Sequence, residues 1–264
     1  MNKKIFIYFF ALGFMFFSCG KNNEIKNNSS QPIKVGLVFD VGGRGDKSFN
    51  DAAYKGLEKA KSEFGIDFEI IDPGDGSDRE SALRKLAAKP EIGLIFGVGF
   101  IFTDDITKIA NDFPDKKFAC IDYSINPDIP VPANLIALEF KEDEGSFLVG
   151  AIAAMFSKTG KIGFVGGMES SLIKKFERGY IEGAKYIKND INILSGYVGV
   201  TGEGFKNPSK GKEIALTQYQ NGADVVYHAS GLSGIGVFEA AKEKKKYAIG
   251  VDLDQYSEAP GFVL

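Results

Sequence analysis

From residue 33 onward, short apolar runs alternate with longer segments whose apolar positions recur at the helical period. "IKVGLVF" (33–39) precedes the amphipathic "NDAAYKGLEKAKSEF" (50–64), and "DFEIID" (67–72) precedes "SDRESALRKLAAK" (77–89). "IGLIFGVG" (92–99), "TDDITKIANDF" (103–113), "KFACID" (117–122) and "NLIALEF" (134–140) continue the series. It then runs through "EDEGSFLVGAIAAMFSK" (142–158), "KIGFVGG" (161–167), "SSLIKKFERGYIEGAKYIK" (170–188), "INILSGYVG" (191–199) and "PSKGKEIALTQYQNG" (208–222). "ADVVYHAS" (223–230), "SGIGVFEAAKEKK" (233–245) and "KYAIGVD" (246–252) close it. Runs without polar interruption are what a strand buried on both faces requires, and helices between them make the sheets parallel. The pattern predicts an α/β protein.

Pro127, Pro130 and Pro132 interrupt the alternation, with four strands before 127–140 and four after. We read two doubly wound parallel-sheet lobes joined by a hinge, with crossings at 134–140 and near Gly250–Asp252. The boundaries expected are 33–138 with 253–264 for an incomplete N-terminal lobe, and 139–252 for a C-terminal lobe. "GFVL" (261–264) reads as a strand that stops short of pairing length, so the C-terminus is expected to be truncated. Small residues in "GSFLVGAIAAMF" suit close packing against a sheet.

The first residues carry a different signal. Lys3 and Lys4 precede an apolar run too short for a comfortable membrane span, followed by Ser18-Cys19-Gly20. This is the layout of a signal peptide over 1–18 with lipidation of Cys19. Residues 19–32, polar and rich in Asn and Ser, form a tether. Removing 1–18 takes the formal charge from −3 to −5, because two lysines and no acids leave. A mildly acidic chain without a basic block has no footprint for nucleic acid. One remaining cysteine, Cys120, excludes a disulfide framework, and with His228 it makes no metal site. Both are read as core residues. "DPGDGSD" (72–78) lacks calcium-ligand spacing and reads as a turn.

Open α/β sheets bind ligands beyond the carboxyl ends of their strands. There the chain places Asp40, Gly97, Gly99, Asp122, Gly166, Gly167, Gly231 and Asp252. The loop "LVFDVGGRGDKSFND" (37–51) meets neither phosphate pattern. Val41 and Asp46 stand where a Walker loop needs glycine, and Ser48 stands where a dinucleotide loop needs its third. Asp40 and Asp46 would also repel phosphate. Arg44-Gly45-Asp46 is a short chance match to an adhesion triplet. Ser48 or Asn50 suits the cap of the following helix. Phe49 at this loop and Phe205 in "GVTGEGFKNPSKGKEIA" are two aromatics on different lobes. With carboxylates around them they would suit a flat, uncharged ligand with a polar edge.

"GLVFD…GDKSFND", "FACIDY", "EDEGSFLVGAIAAMFSKTGKIGFVGG", "ERGYIEGAKY", "GFKNPSKGKEIA", "VVYHASGLSGIGVFEAA" and "AIGVDLDQY" closely resemble the basic membrane protein family. These are purine nucleoside receptor A-like substrate-binding lipoproteins of bacterial nucleoside ABC transporters. The resemblance, from about residue 33 to 264, implies a type I periplasmic-binding-protein fold. It implies a purine nucleoside ligand (inosine, guanosine or adenosine), delivery to permease and ATPase subunits, no cofactor and no catalysis. It also implies a lipid-anchored location at a cell membrane, facing the periplasm or the surface. Carried over, Phe49 and Phe205 sandwich the base, Asn50 and Asp122 read its edge, and Asp252 holds the ribose. Gly231 supplies a backbone contact and Asp40 the pocket floor. A family lysine on the ribose, shortly after a "GFVLTS"-like strand, has no counterpart here. An adhesin or antigen lipoprotein is the alternative, and a nucleoside hydrolase the less favoured one, since no carboxylate cluster has metal spacing.

Overall fold

The computed structural model describes residues 34–73 and 78–264. The expected signal peptide, Cys19, the expected tether and part of the 72–78 turn lie outside them. The first sheet comprises β1 (Lys34–Val38), β2 (Asp67–Ile71), β3 (Ile92–Val98), β4 (Lys117–Ile121) and β5 (Leu135–Leu138). Its order is β2-β1-β3-β4-β5, all parallel. Parallel pairing demands crossovers, supplied by α1 (Phe49–Phe64), α2 (Arg79–Ala87) and α3 (Thr103–Asp112). Leu83, Leu86, Ile106 and Ile109 from α2 and α3 bury one face of the sheet, with Val38, Ile95 and Phe118 from its strands. Leu57 of α1 covers Val35, Leu37 and Val98 on the other.

After β5 the chain passes directly into α4 (Glu142–Phe156) and the second sheet. This sheet holds β6 (Lys161–Met168), β7 (Asn192–Gly199), β8 (Val225–Ala229) and β9 (Tyr247–Ile249), parallel in the order β7-β6-β8-β9. Its crossovers are α5 (Ser171–Ile187), α6 (Pro208–Gln220) and α7 (Gly234–Lys244). The strand order reverses between β1 and β3 in one sheet and between β6 and β8 in the other. Such reversals splay the flanking loops apart and leave a crevice.

Two expectations are corrected. The small residues of α4 serve a helix–helix contact as well as the sheet side. A Cβ at Gly150 would overlap the Tyr180 carbonyl, and one at Gly183 would overlap that of Phe147, so α4 and α5 approach backbone to backbone. Residues 253–264, expected in the first lobe, extend the second sheet instead, so the second crossing near 250–252 is not made. Val263 bridges Ala248 in parallel, Ala248 N–H donates to Phe262 O at 2.8 Å, and Leu264 N–H donates to Ala248 O at 3.0 Å. The free edge of β9 attracts this segment, and Ala259 and Val263 are buried against Val226, Ala241 and Ala248.

Candidate functional site

The loop after β1 is organised by two aspartates. Asp46 is buried, and its carboxylate accepts from the N–H groups of Ser48 (2.9 Å), Asn50 (2.8 Å) and Asp51 (3.1 Å). These are donors that the start of α1 cannot satisfy within the helix, so Asp46 caps α1. Ser48 and Asn50, the expected caps, are thereby released for other work. Asn50 Oδ1 accepts from Asp40 N–H at 2.8 Å, and Nδ2 donates to Asp46 at 3.1 Å. Ser48 Oγ donates to Asp252 Oδ2 at 2.5 Å. Asp51 accepts from Gly45 N–H and Arg44 Nε, and the Arg44 guanidinium lies 3.4 Å from the centre of the Tyr54 ring. With Asp46 buried and Arg44 stacked, the Arg-Gly-Asp triplet is a loop brace.

All seven residues singled out from the sequence, Asp40, Phe49, Asn50, Asp122, Phe205, Gly231 and Asp252, line one cavity between the two sheets. Asp40 lies just past β1, Phe49 opens α1, and Asp122 follows β4. Gly231 follows β8 and Asp252 follows β9. Asp122 (φ 59°) and Asp252 (φ 64°) both adopt the left-handed region, which few side chains other than Asn and Asp tolerate well. Gly99, at φ 101°, leaves room for Asp40, whose carboxylate a Cβ there would overlap. Phe205 lies against Gly167 at the end of β6 in the same manner.

Sequence reasoning missed Phe100, Phe176 and Ser230 in this lining. Phe100 meets Phe205 edge to face, with centroids 6.3 Å apart, an aromatic contact between the lobes. Its place directly after the third strand was the available signal. Phe49 shares the cavity without being part of that ring pair. The cavity measures only about 60 Å³, well below the roughly 300 Å³ and more of a small-molecule site. A larger ligand therefore requires the lobes to part. Beside it lie a vestibule of about 260 Å³ and a groove of about 570 Å³.

Four aspartates and no lysine or arginine line the cavity. Burial raises Asp40 to about 7 against the Val41 N–H bond, which favours the anion. Burial also raises Asp122 to about 7, helped by the charges of Glu142 and Asp252 and opposed by Lys175. Burial of its carboxylate raises Asp252 to about 6, although the residue as a whole is exposed; the Ser48 bond opposes that rise and the Asp46 charge adds to it. Burial pushes Asp46 up as well, against its three N–H donors. Such a lining repels anions and offers acceptors to hydroxyl and amino hydrogens. His228 is buried beside Ser230 and edge-on to Phe238, and Cys120 is buried in the first sheet, so both are core residues. Among the described residues no carboxylate, histidine or cysteine cluster could hold a metal ion, and no helix is long and apolar enough to cross a membrane.

Residues 33–264 match the family model of Bmp, ABC transporter substrate-binding protein PnrA-like. The chain is 39% identical to basic membrane protein A1 of Borrelia garinii subsp. bavariensis, over all of this chain and 75% of the relative. It is 34% identical to a CD4+ T-cell-stimulating antigen of Listeria innocua, over 94% of this chain and 71% of that one. A crystal structure of an ABC transporter solute-binding protein from Aeropyrum pernix K1 superposes with a TM-score of 0.80 at 34% identity. It matches 88% of this chain, which spans 65% of that one. Two parallel-sheet lobes around an inter-lobe cavity, the family match and the fold of a solute-binding protein converge. The chain belongs to the Bmp family of PnrA-like ABC transporter substrate-binding proteins.

Proposed function

We propose that this protein captures a purine nucleoside between its lobes and delivers it to the permease and ATPase subunits of an ABC transporter. A lipid on Cys19 would hold it at the membrane. The observation that carries the reading is the lining of the central cavity, which combines aromatic rings with four aspartates and holds no lysine or arginine, Lys175 and Lys141 standing only in the adjoining vestibule and groove. Aromatic faces stack on a base regardless of its identity. Carboxylates accept from ribose hydroxyls and base N–H groups, whereas the phosphate of a nucleotide meets repulsion.

In this reading Phe49 and Phe205 face the base, and Asn50 and Asp122 read its edge. Asn50 has one Nδ2 hydrogen uncommitted after its bonds to Asp40 and Asp46. Asp252 holds the ribose, Gly231 offers its backbone, and Asp40 forms the floor. The hinge lies at 139–141, between β5 and α4. Closure follows from contacts that only the shut cleft makes with the ligand.

The test is mass spectrometry of small molecules released by denaturing protein purified from cells. Near-stoichiometric inosine, guanosine or adenosine is expected. Protein that emerges empty and ignores added nucleosides in calorimetry would overturn the proposal.

A further inference from the structure

Glu142 is the first residue of α4 and follows the crossover from the first sheet. It is only 8% exposed, and neither carboxylate oxygen has a hydrogen-bond partner within the protein. Lys175 Nζ stands 3.6 Å from Oε2, close enough for an ion pair but beyond hydrogen-bond reach. Asp122, on the other lobe, likewise has a buried Oδ1 with no hydrogen-bond partner. The two residues together wall both the vestibule and the groove, and Asp122 also lines the central cavity.

Buried acceptors without donors are costly, and two of like charge facing each other across a hinge add repulsion. Resting closure therefore lacks donors at this point. A divalent cation is a poor remedy, because no third ligand joins the pair and Lys175 already stands beside Glu142. A hydroxyl brings one hydrogen and can satisfy one side. A primary amino group on an aromatic ring brings two, one for each carboxylate, and so joins the two lobes as it binds.

We propose that Glu142 and Asp122 form an amine-reading subsite, and that Glu142 is a specificity-determining residue selecting bases with an exocyclic amino group. The inference rests on the nucleoside reading and adds a preference within it. Glu142 makes its contact only as the lobes shut, so the subsite discriminates at closure.

Guanosine and inosine, which differ by one amino group, are the probes. Titration calorimetry at pH 8 is expected to show guanosine binding about tenfold tighter or better, the scale of a hydrogen bond to a charged acceptor. Glu142→Gln keeps the shape and replaces one acceptor by a second NH₂. In that variant the preference should fall below about threefold while inosine affinity holds. Lys175→Met, which removes the ion pair and leaves the carboxylate, should keep the wild-type preference.

A preference of threefold or more in Glu142→Gln, or one lost equally in Lys175→Met, would overturn the role of Glu142. Inosine and guanosine bound with less than tenfold difference by the wild-type protein would sink the subsite and leave the nucleoside reading standing. Failure of both to bind would remove the nucleoside reading and the subsite with it. Thermal melting establishes that each variant is folded, and Glu142→Asp, which withdraws the carboxylate by one methylene, carries the same comparison if Glu142→Gln is not.

Discussion

Ser48 Oγ and Asp252 Oδ2 are 2.5 Å apart although 204 positions separate them in the chain. Ser48 ends the loop that feeds α1 on the first lobe, and Asp252 follows β9 on the second. Gln255 Nε2 donates to Lys47 O at 2.9 Å beside them. These bonds exist only while the lobes are together, so they stabilise closure without ligand. Ser48→Ala should cost about 1.5–3 kcal/mol of the closed form, the range for a hydrogen bond to a charged acceptor. Small-angle scattering at pH 8 should then report a larger radius of gyration for the variant than for wild type. Identical profiles would mean that the bond does not hold the cleft.

Phe205 is positioned by an absence. A Cβ at residue 167 would come within 2.4 Å of the Phe205 ring, so Gly167→Ala must push that ring off its seat and disturb its contact with Phe100. Phe205→Ala removes the ring outright and should weaken nucleoside binding by about 1–3 kcal/mol. Gly167→Ala should weaken it in the same direction without altering any charge. Calorimetry on both variants checks this, and undiminished affinity in folded Phe205→Ala would take the ring out of the site.

The alternation of apolar runs and amphipathic helices made both sheets legible, because strands buried on two faces leave no polar gaps. The residues gathered around the cleft were legible for a related reason, since the carboxyl ends of parallel strands share one side of a sheet. What escaped was tertiary. Phe100 directly follows the third strand, a position that points to the cleft, but its apolar neighbours make it resemble a core residue. Asp46 lines the cavity, yet its carboxylate oxygens are already engaged at the start of α1. Glu142 opens an acidic helix start, "EDEG", with nothing local to mark it as the buried member, yet it is 8% exposed. The pairing of Val263 with Ala248 depends on which sheet offers a free edge, and no periodicity encodes that.

The α4–α5 contact gives a stability prediction away from the cleft. Gly179 and Gly183 of α5 lie against the carbonyls of Asp143 and Phe147, and backbone cannot yield as a side-chain tip can. An alanine in the middle of a helix normally stabilises by up to about 1 kcal/mol relative to glycine. At Gly183 the overlap reverses that sign. Gly183→Ala should destabilise by about 1–3 kcal/mol, the usual cost of overpacking. Chemical denaturation should show a lowered midpoint, and an unchanged or raised one would mean that the helices are farther apart than described.

The aspartates of the cleft set a pH dependence whose sign follows from burial. Asp40 and Asp122 each stand at about 7 in the fold, above an ordinary 3.8. The fold therefore holds their protons more tightly than the unfolded chain does. The stability they contribute is fully present below about pH 4 and is lost as pH rises through about 7. Asp252, at about 6, acts in the same direction, but its exposure to solvent weakens the effect. His228 opposes them. Burial lowers it from 6.5 to about 4, so its contribution is present above 6.5 and falls away as pH drops through 4. Above pH 6.5 the carboxylates act alone, and the melting temperature of the ligand-free protein should decline between pH 6.5 and 8. Asp40→Asn should flatten that decline, since the amide has no proton to lose. A ligand that donates hydrogens to the ionised carboxylates should release protons on binding below pH 7, measurable as a dependence of calorimetric enthalpy on the ionisation heat of the buffer. Proton uptake instead of release would mean that the ligand prefers the protonated acids, reversing the acceptor role given to this lining.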